Sequence, residues 1–218
     1  MTREPSPGAD DTTGHPAQWG RERVEAEVAV LTVHGRGQSP ESMRDLTARL
    51  GAPPARFYAP AAPEGSWYPH PFMEPLARNQ PELDHGLRVV EAVLTRILRE
   101  GFARHRVVLW GFSQGACLLS QYLLDTPRRL GGAILFTGGH LGPDARPAPS
   151  GAPLDGLPVL MRSVERDPWV PRSRVAETAE LLRRAGATVD LRIAPGDEHV
   201  VTDEACGAAA RLLRAIGQ

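Results

Sequence analysis

The chain contains no lysine, because all 25 of its basic residues are arginines. Schiff-base catalysis needs a lysine amine, and a phosphate-binding P-loop needs a lysine beside its last glycine, so both are excluded. The arginines are balanced by 26 acidic residues, which leaves a formal net charge of −1. This balance gives no electrostatic support for binding nucleic acid or a membrane surface.

Cysteine is also scarce, and long apolar runs are missing. The two cysteines, Cys117 and Cys206, lie in segments with helical patterns, which fits neither a disulfide framework nor a Cys-x-x-Cys metal site. The first two dozen residues lack the apolar core of a signal peptide, and no segment approaches the length of a membrane span. We therefore expect a cytoplasmic protein without stable membrane insertion.

Apolar runs alternate with helical patterns after residue 25, which is typical of βα units around a mostly parallel sheet. Residues 1–23 are rich in proline, glycine, aspartate and threonine without periodicity. They are predicted to be a flexible N-terminal tail, and residues 24–218 a single α/β domain. The predicted strands are 28–33, 56–59, 107–110, 132–136, 158–163 and 189–193. The predicted helices are 40–50, 82–100, 114–124, 172–185 and 202–216.

The segment Gly111-Phe112-Ser113-Gln114-Gly115 follows one predicted strand and opens the next predicted helix. This placement is typical of a nucleophile elbow, a tight strand–turn–helix that lifts a serine hydroxyl above the sheet. The two glycines leave room for the strained turn. An ordinary turn between a strand and a helix is the competing interpretation. The pattern makes Ser113 the candidate nucleophile.

A serine hydroxyl is a weak nucleophile and needs a base. In the fold that carries this elbow, the chain order is serine, acid, histidine. His199 follows the last predicted strand and precedes the last predicted helix, whereas His140 comes before every plausible acid. Asp167, after strand 158–163, is the candidate acid, with Glu165 and Asp197 as rivals. The competing interpretations are a surface histidine and a helix N-terminal aspartate.

An oxyanion hole needs two backbone N–H groups that face the oxygen on which negative charge develops. One is expected from Gln114 and the other from Arg36, in the loop Val33-His34-Gly35-Arg36-Gly37. The loop could equally be a phosphate turn, but it lacks the lysine and the spacing. His34 is predicted to be structural. For the Arg36 side chain, solvent is slightly favoured over an anionic group of the substrate.

Five stretches together resemble the phospholipase/carboxylesterase family of α/β hydrolases, which includes the acyl-protein thioesterases and small bacterial carboxylesterases. They are Val33-His34-Gly35-Arg36-Gly37, Gly65-Ser66-Trp67-Tyr68-Pro69, Gly111-Phe112-Ser113-Gln114-Gly115-Ala116, Asp167-Pro168-Trp169-Val170-Pro171 and Pro195-Gly196-Asp197-Glu198-His199. The resemblance implies an α/β-hydrolase fold with a mostly parallel central sheet, helices on both faces and no large cap domain.

The same resemblance implies hydrolysis of an ester or thioester through an acyl-enzyme, without a metal or an organic cofactor. By position, Ser113, Asp167 and His199 are then the triad, and Arg36 and Gln114 supply the oxyanion hole. We expect a serine carboxylesterase that acts on small to medium esters. A lysophospholipase or acyl thioesterase is the alternative, and a non-catalytic ligand-binding protein is the second alternative.

The chain departs from the family pattern at two positions of the loop after the first predicted strand. Arg36 stands where the family commonly has a small or apolar residue, and Gln38 where thioesterase members usually have aspartate. Both differences weigh against protein depalmitoylation. The substrate pocket is predicted from aromatic residues, with core packing as the competing interpretation: Trp67, Tyr68, Phe72 and Trp169. The expected partner is a small-molecule ester and not nucleic acid, with a homodimer left open.

Overall fold

A computed structural model describes residues 15–218. Within them, seven strands form one sheet in the order β1-β3-β2-β4-β5-β6-β7. The pair of β1 with β3 is antiparallel, and every other neighbouring pair is parallel. The strands are β1 Ala17–Gly20, β2 Val28–Val33, β3 Ala55–Ala59, β4 Val107–Phe112, β5 Gly132–Phe136, β6 Pro158–Val164 and β7 Thr188–Ala194.

Helices cover both faces of the sheet, which buries its central strands completely. Side chains of α3, α4 and α5 share one apolar cluster, and side chains of α1 and α6 share the other. The helices are α1 Pro40–Ala48, α2 Leu76–Asn79, α3 Glu82–Arg99, α4 Gln114–Asp125, α5 Arg172–Arg184 and α6 Asp203–Gly217. The prediction of an α/β-hydrolase fold is confirmed in this architecture.

The predicted N-terminal tail is wrong in its extent. Residues 1–14 lie outside the described residues, but Ala17–Gly20 form β1 at the edge of the sheet. Trp19 stacks on Phe57 with ring centroids 5.5 Å apart, and its indole N–H donates to Thr47 Oγ1 at 2.8 Å. The strand is therefore fixed by side-chain packing that a four-residue segment does not reveal in its pattern.

The order of the strands determines where a site can form. From β2, the chain goes to β3 on one side and then returns to β4 on the other, so the loops after β2 and β4 diverge. In open parallel sheets such a switch point leaves a crevice at the carboxyl ends of the strands. Residues 34–38 follow β2 at this edge, and Ser113 follows β4. Within residues 15–218, no helix is long and apolar enough to cross a membrane.

Candidate active site

Ser113 occupies a strained turn between β4 and α4. Its φ is 53° and its ψ is −119°, a conformation that residues other than glycine rarely adopt. The Ser113 N–H donates to Phe136 O at 2.9 Å, and the Cys117 N–H donates to Ser113 O at 3.0 Å. These bonds hold the turn to β5 and to the first turn of α4. The side chain of Ser113 is thereby presented at the carboxyl edge of the sheet.

The two glycines of the motif are required by close backbone contacts. A Cβ on Gly111 would lie 2.6 Å from Ala116 Cα, inside the helix that begins after the turn. A Cβ on Gly115 would lie 2.1 Å from Val33 O, the carbonyl at the end of β2. Real Cβ atoms do not approach other heavy atoms so closely, so any side chain at either position forces the elbow apart.

A chain of hydrogen bonds joins Ser113, His199 and Asp167. His199 Nε2 lies 2.8 Å from Ser113 Oγ, and His199 Nδ1 lies 2.7 Å from Asp167 Oδ2. The imidazole also packs against the Phe112 ring, with centroids 5.2 Å apart. This geometry allows the imidazole to take the serine proton on one nitrogen while its other N–H bonds to the carboxylate.

The Asp167 carboxylate is fully buried, yet each hydrogen bond that it accepts favours its charged form. Its Oδ1 accepts hydrogen bonds from the N–H groups of Trp169 and Val170, both at 2.9 Å. Burial by itself raises the pKa of this carboxyl, but the bonds from His199, Trp169 and Val170 outweigh burial and hold the pKa below its usual value. A stable anion therefore faces the imidazole.

The two rival acids point elsewhere. Glu165 Oε1 pairs with Arg172 Nη1 at 3.2 Å, and both side chains are exposed. Asp197 Oδ2 lies 3.9 Å from Arg166 Nη2, again at the surface. Among the three candidates, the structure brings Asp167 to His199 and leaves the other two in exposed ion pairs.

The loop after β2 approaches Ser113 closely. A Cβ on Gly35 would lie 3.2 Å from Ser113 Cβ. Within residues 15–218, the N–H of Arg36 donates to no backbone acceptor. The N–H of Gln114 opens α4, where helical N–H groups have no partner inside the helix. Two backbone donors beside one serine hydroxyl can bind a developing oxyanion.

His34, as predicted, has a structural role. Its Nδ1 bonds to Gly35 O at 2.8 Å, and its Nε2 accepts from the Ala62 N–H at 3.1 Å. One ring nitrogen donates and the other accepts, which describes a neutral imidazole. Burial lowers the pKa of His34 and keeps it neutral. The imidazole fixes the end of β2 to the segment that follows β3.

The Arg36 side chain is exposed, and its guanidinium is hydrogen-bonded to the chain itself. Its Nη1 donates to Ser66 Oγ and Pro69 O, and its Nη2 donates to Tyr68 O and His70 O, all within 2.8–3.0 Å. A guanidinium carries four N–H bonds on its two terminal nitrogens, and the 66–70 segment accepts all four. The exposure of Arg36 agrees with the favoured expectation of solvent, although the four bonds hold the guanidinium against the chain, and contact with an anionic substrate group stays a prediction.

The side chain of Gln114 makes contacts that the sequence did not indicate. Its Nε2 donates to Ser66 Oγ at 3.1 Å and to Tyr68 O at 2.8 Å, and its Oε1 accepts from the Trp67 N–H at 3.0 Å. Gln114 was predicted only as a backbone donor. The sequence carries no local signal for these contacts, because the burial that obliges the amide to find partners is a property of the fold.

Three of the four predicted pocket aromatics are buried. Trp67 donates its indole N–H to His34 O at 2.9 Å, and Tyr68 and Phe72 lie in the same apolar cluster. Trp169 is instead 72% exposed, two residues after Asp167. A cavity of about 630 Å³ borders Trp67 and Tyr68, but neither Phe72 nor Trp169 lines it.

A smaller cavity of about 330 Å³ adjoins the imidazole itself. The sequence did not point to its walls, which come from α1, the end of β4 and the loop before α6: Gln38, Ser42, Met43, Leu46, Arg49, Phe112, His199, Val200 and Val201. Val200 and Val201 follow His199 directly, and this adjacency was the available signal. The contact with His199 makes this cavity the candidate ester-binding site.

Cys117 lies one helical turn beyond Ser113 and does not serve as a second nucleophile. It is buried, and burial raises the pKa of its thiol to about 11. A thiol protonated at neutral pH is a poor nucleophile. Its sulfur accepts a hydrogen bond from the Gly139 N–H at 3.4 Å. This environment makes Cys117 a packing residue of the elbow helix.

Comparison with known proteins gives a consistent picture. The model of the phospholipase/carboxylesterase family matches residues 20–216. A solved phospholipase/carboxylesterase from Dyadobacter fermentans is similar with 31% identity and a TM-score of 0.82, over 92% of this chain and 96% of that chain. The structure of SOBER1 from Arabidopsis thaliana is 19% identical with a TM-score of 0.71, over 88% and 99% of the two chains, and shows the shared fold.

A curated relative matches over a shorter stretch. A "Probable carboxylesterase" of Oryza sativa subsp. japonica is 31% identical over 127 residues, which is 50% of this chain and 54% of that protein. The match therefore spans about half the length of the curated relative.

Proposed function

The chain belongs to the phospholipase/carboxylesterase family, and we propose that it is a serine carboxylesterase that hydrolyses small to medium esters through an acyl-enzyme. Membership of this family makes it an esterase-type hydrolase. The serine mechanism rests on one observation, the continuous hydrogen-bond chain from Ser113 Oγ through His199 to Asp167. The position of the partly buried Ser113 at the carboxyl edge of the sheet supports it.

Acylation begins with attack of Ser113 Oγ on the ester carbonyl carbon. The hydroxyl proton moves to His199 Nε2, and the resulting imidazolium faces the buried Asp167 carboxylate. The carbonyl oxygen becomes an oxyanion that accepts from the N–H groups of Arg36 and Gln114. The tetrahedral intermediate then breaks its bond to the alcohol oxygen, which takes the proton from Nε2 and leaves as the alcohol.

Deacylation repeats these steps with water as the nucleophile. His199 Nε2 removes a proton from water, the hydroxide attacks the acyl carbon, and the same two N–H groups stabilise the second oxyanion. When the intermediate collapses, the bond to Ser113 Oγ breaks and the proton returns to that oxygen. The products are one carboxylic acid and a regenerated serine.

The preference for small to medium esters is supported by the cavity beside His199. Its volume of about 330 Å³ is at the lower end of the range typical of small-molecule sites, roughly 300–1,000 Å³. Its walls include the apolar side chains of Met43, Leu46 and Phe112. The one cation in its lining, Arg49, is paired with Asp203 at 2.7 Å. Such a cavity suits an uncharged apolar group.

A second candidate, action on longer acyl chains as a lysophospholipase or thioesterase, is favoured by the exposed apolar residues beside the triad. Trp169 is 72% exposed next to the acid, and Val200 is 43% exposed next to the base. A long chain could lie across both. The two candidates separate in a series of nitrophenyl esters from acetate to palmitate, run beside acyl-CoA and lysophospholipid. We expect the highest kcat/KM for a short ester, and a maximum at palmitate would favour the second candidate.

The proposal is tested by Ser113→Ala. Loss of the nucleophile should lower kcat for a short nitrophenyl ester by about 10⁴-fold or more. Thermal unfolding of the variant should remain a single transition near that of the parent. A folded variant with more than a tenth of the parent's turnover would refute the assignment. A non-catalytic ligand-binding protein would instead give no turnover even with the parent chain.

A further inference from the structure

The hydroxyl of Ser66 lies between the two residues that supply the oxyanion donors in the proposed function. Ser66 Oγ accepts from Arg36 Nη1 at 3.0 Å and from Gln114 Nε2 at 3.1 Å, and it donates to Tyr68 O at 2.8 Å. A serine hydroxyl offers one donor and two acceptor positions. All three positions are occupied, so the Ser66 hydroxyl links Arg36, Gln114 and Tyr68.

The carbonyl of Tyr68 is a second shared partner. It accepts from Arg36 Nη2, from Gln114 Nε2 and from Ser66 Oγ, each at 2.8 Å. The Trp67 N–H between them donates to Gln114 Oε1 at 3.0 Å. We call the segment Ser66, Trp67 and Tyr68 the clamp. The two side chains that donate to the clamp belong to Arg36 and Gln114, the residues whose backbone N–H groups are the proposed oxyanion donors.

Two other features hold the loop after β2: β2 pairs with β4 up to Val33 and Gly111, and the Gly37 N–H donates to Gly65 O at 2.8 Å. Arg36 lies in the loop after β2 and Gln114 opens α4, and within residues 15–218 no hydrogen bond joins one directly to the other. An oxyanion hole works only when both donors lie about 2.7–3.1 Å from the same oxygen. The clamp therefore adds direct side-chain links to the spacing of the two N–H groups, which the β2–β4 pairing and the packing of Gly115 against the end of β2 also set.

We infer that Ser66 is a positioning residue whose hydroxyl fixes the spacing of the Arg36 and Gln114 N–H groups and thereby stabilises the tetrahedral intermediate. The inference rests on the proposed function, because it requires these two groups to be the oxyanion donors. A change in their spacing affects the transition state more than the bound ester. Its signature is a lower kcat with a nearly constant KM.

The test compares Ser66→Ala with Ser66→Thr on a short nitrophenyl ester. Removal of a whole oxyanion donor costs about 10²–10³ in kcat, so displacement of two intact donors should cost less, roughly tenfold. We expect kcat of the alanine variant to fall by about that factor while KM changes less than about twofold. Ser66→Thr keeps the hydroxyl and should recover most of kcat.

The inhibition constant of a transition-state analogue is a readout that a loss of stability alone does not change. A phenylboronate adds to Ser113 Oγ as a tetrahedral anion, with one oxygen directed to the two N–H groups. Its inhibition constant should rise in Ser66→Ala by about the factor lost in kcat, because both report the same donors. An unchanged inhibition constant together with an unchanged kcat overturns the inference.

Ser120→Ala is the control for loss of a hydrogen-bonded serine hydroxyl. Its hydroxyl lies in α4 and donates to Ala116 O at 2.7 Å, and no described hydrogen bond joins it to the clamp. This variant should lose stability while kcat and the boronate constant stay within about twofold of the parent. If Ser66→Ala behaves in the same way, the positioning role is excluded.

Two further variants keep the result interpretable. If Ser66→Ala does not fold, Gln114→Met removes the same link and retains the backbone N–H, and it must show the same fall in kcat and in boronate affinity. Parent-like values in that variant overturn the inference. Ser113→Ala separates the two levels of the account: activity retained there refutes the proposed function, whereas an inactive Ser113→Ala with a fully active Ser66→Ala refutes only the positioning role.

Discussion

On one side of Ser113 lie His199 and Asp167, and each link to the next residue is a single short hydrogen bond, 2.8 Å and then 2.7 Å. On the other side, the Arg36 guanidinium and the Gln114 amide make six donor contacts to the 66–70 segment. The first side is a linear chain of hydrogen bonds through Ser113, His199 and Asp167, which we call the relay. The second is the cross-linked set of bonds from Arg36 and Gln114 to the 66–70 segment, which we call the network.

The difference follows from what each side must do. His199 takes and returns a proton at Nε2 while its Nδ1–H stays bonded to Asp167, so one direct bond at each ring nitrogen is enough. Oxyanion donors must not move when charge develops, and a network with several bonds per residue holds them without further reorganisation. We therefore expect single substitutions in the relay to be much more damaging to kcat than single substitutions in the network.

The largest expected effect in the relay after loss of the nucleophile is at the acid. Asp167→Asn keeps the shape but removes the charge that stabilises the imidazolium, and kcat should fall by about 10⁴-fold. Glu165→Gln and Asp197→Asn are matched controls, since both carboxylates lie in exposed ion pairs, and each should stay within about threefold of the parent. If Asp197→Asn shows the large fall in kcat instead, the assignment of Asp167 as the acid is wrong. The measurement is kcat on a short nitrophenyl ester.

A second prediction concerns the joint between the two sides, where Gly115 packs on β2. Gly115→Ala puts a Cβ 2.1 Å from Val33 O and should lower the free energy of unfolding by about 1–3 kcal/mol through forced displacement. Gly207→Ala is the control: it lies in α6 with nothing closer than the far end of Arg211 at 3.4 Å. That change should stabilise by roughly 0.5–1 kcal/mol, as alanine does in a helix. Urea unfolding of both proteins decides it, and equal stabilities would show that the joint is not tight.

The smallest expected effect is on stability in acid. The folded-state pKa of Asp167 is lowered, so its charge contributes stability that is present above the unfolded pKa of about 3.9 and is lost as the pH falls through the lower folded value. The difference in unfolding free energy between the parent and Asp167→Asn should therefore be largest near neutral pH and shrink below about pH 4. Urea titrations at several pH values measure it. A difference that stays constant down to pH 2 would mean that the charge of Asp167 adds no stability.

The relay and the network also differ in how far the sequence could predict them. Ser113 and His199 stand in local patterns, a motif after a strand and a turn before a helix, and the fold constrains their chain order. The contacts of Arg36 with Ser66 and of Gln114 with Tyr68 join residues 30 and 46 positions apart. No local periodicity encodes such contacts, so the sequence does not predict that the exposed Arg36 side chain is bonded to the 66–70 segment.

The same reasoning explains the other differences. The buried strands β2 and β5 have the predicted bounds because continuous apolar runs mark them. The edge strand β1 was missed, since four residues with a half-exposed pattern give no period and depend on Trp19 packing across the chain. The cavity beside His199 was missed because α1 and the loop before α6 form it together.

The central claim, that Ser113 is the acylated nucleophile activated by His199, is tested most directly by a fluorophosphonate probe. The activated serine oxygen displaces fluoride and forms a stable phosphonate ester that peptide mass spectrometry can locate. We predict one adduct per chain, on the peptide that contains Ser113, absent from Ser113→Ala and formed much more slowly in His199→Gln. An adduct on another serine, or no adduct on a protein that hydrolyses esters, would contradict the account.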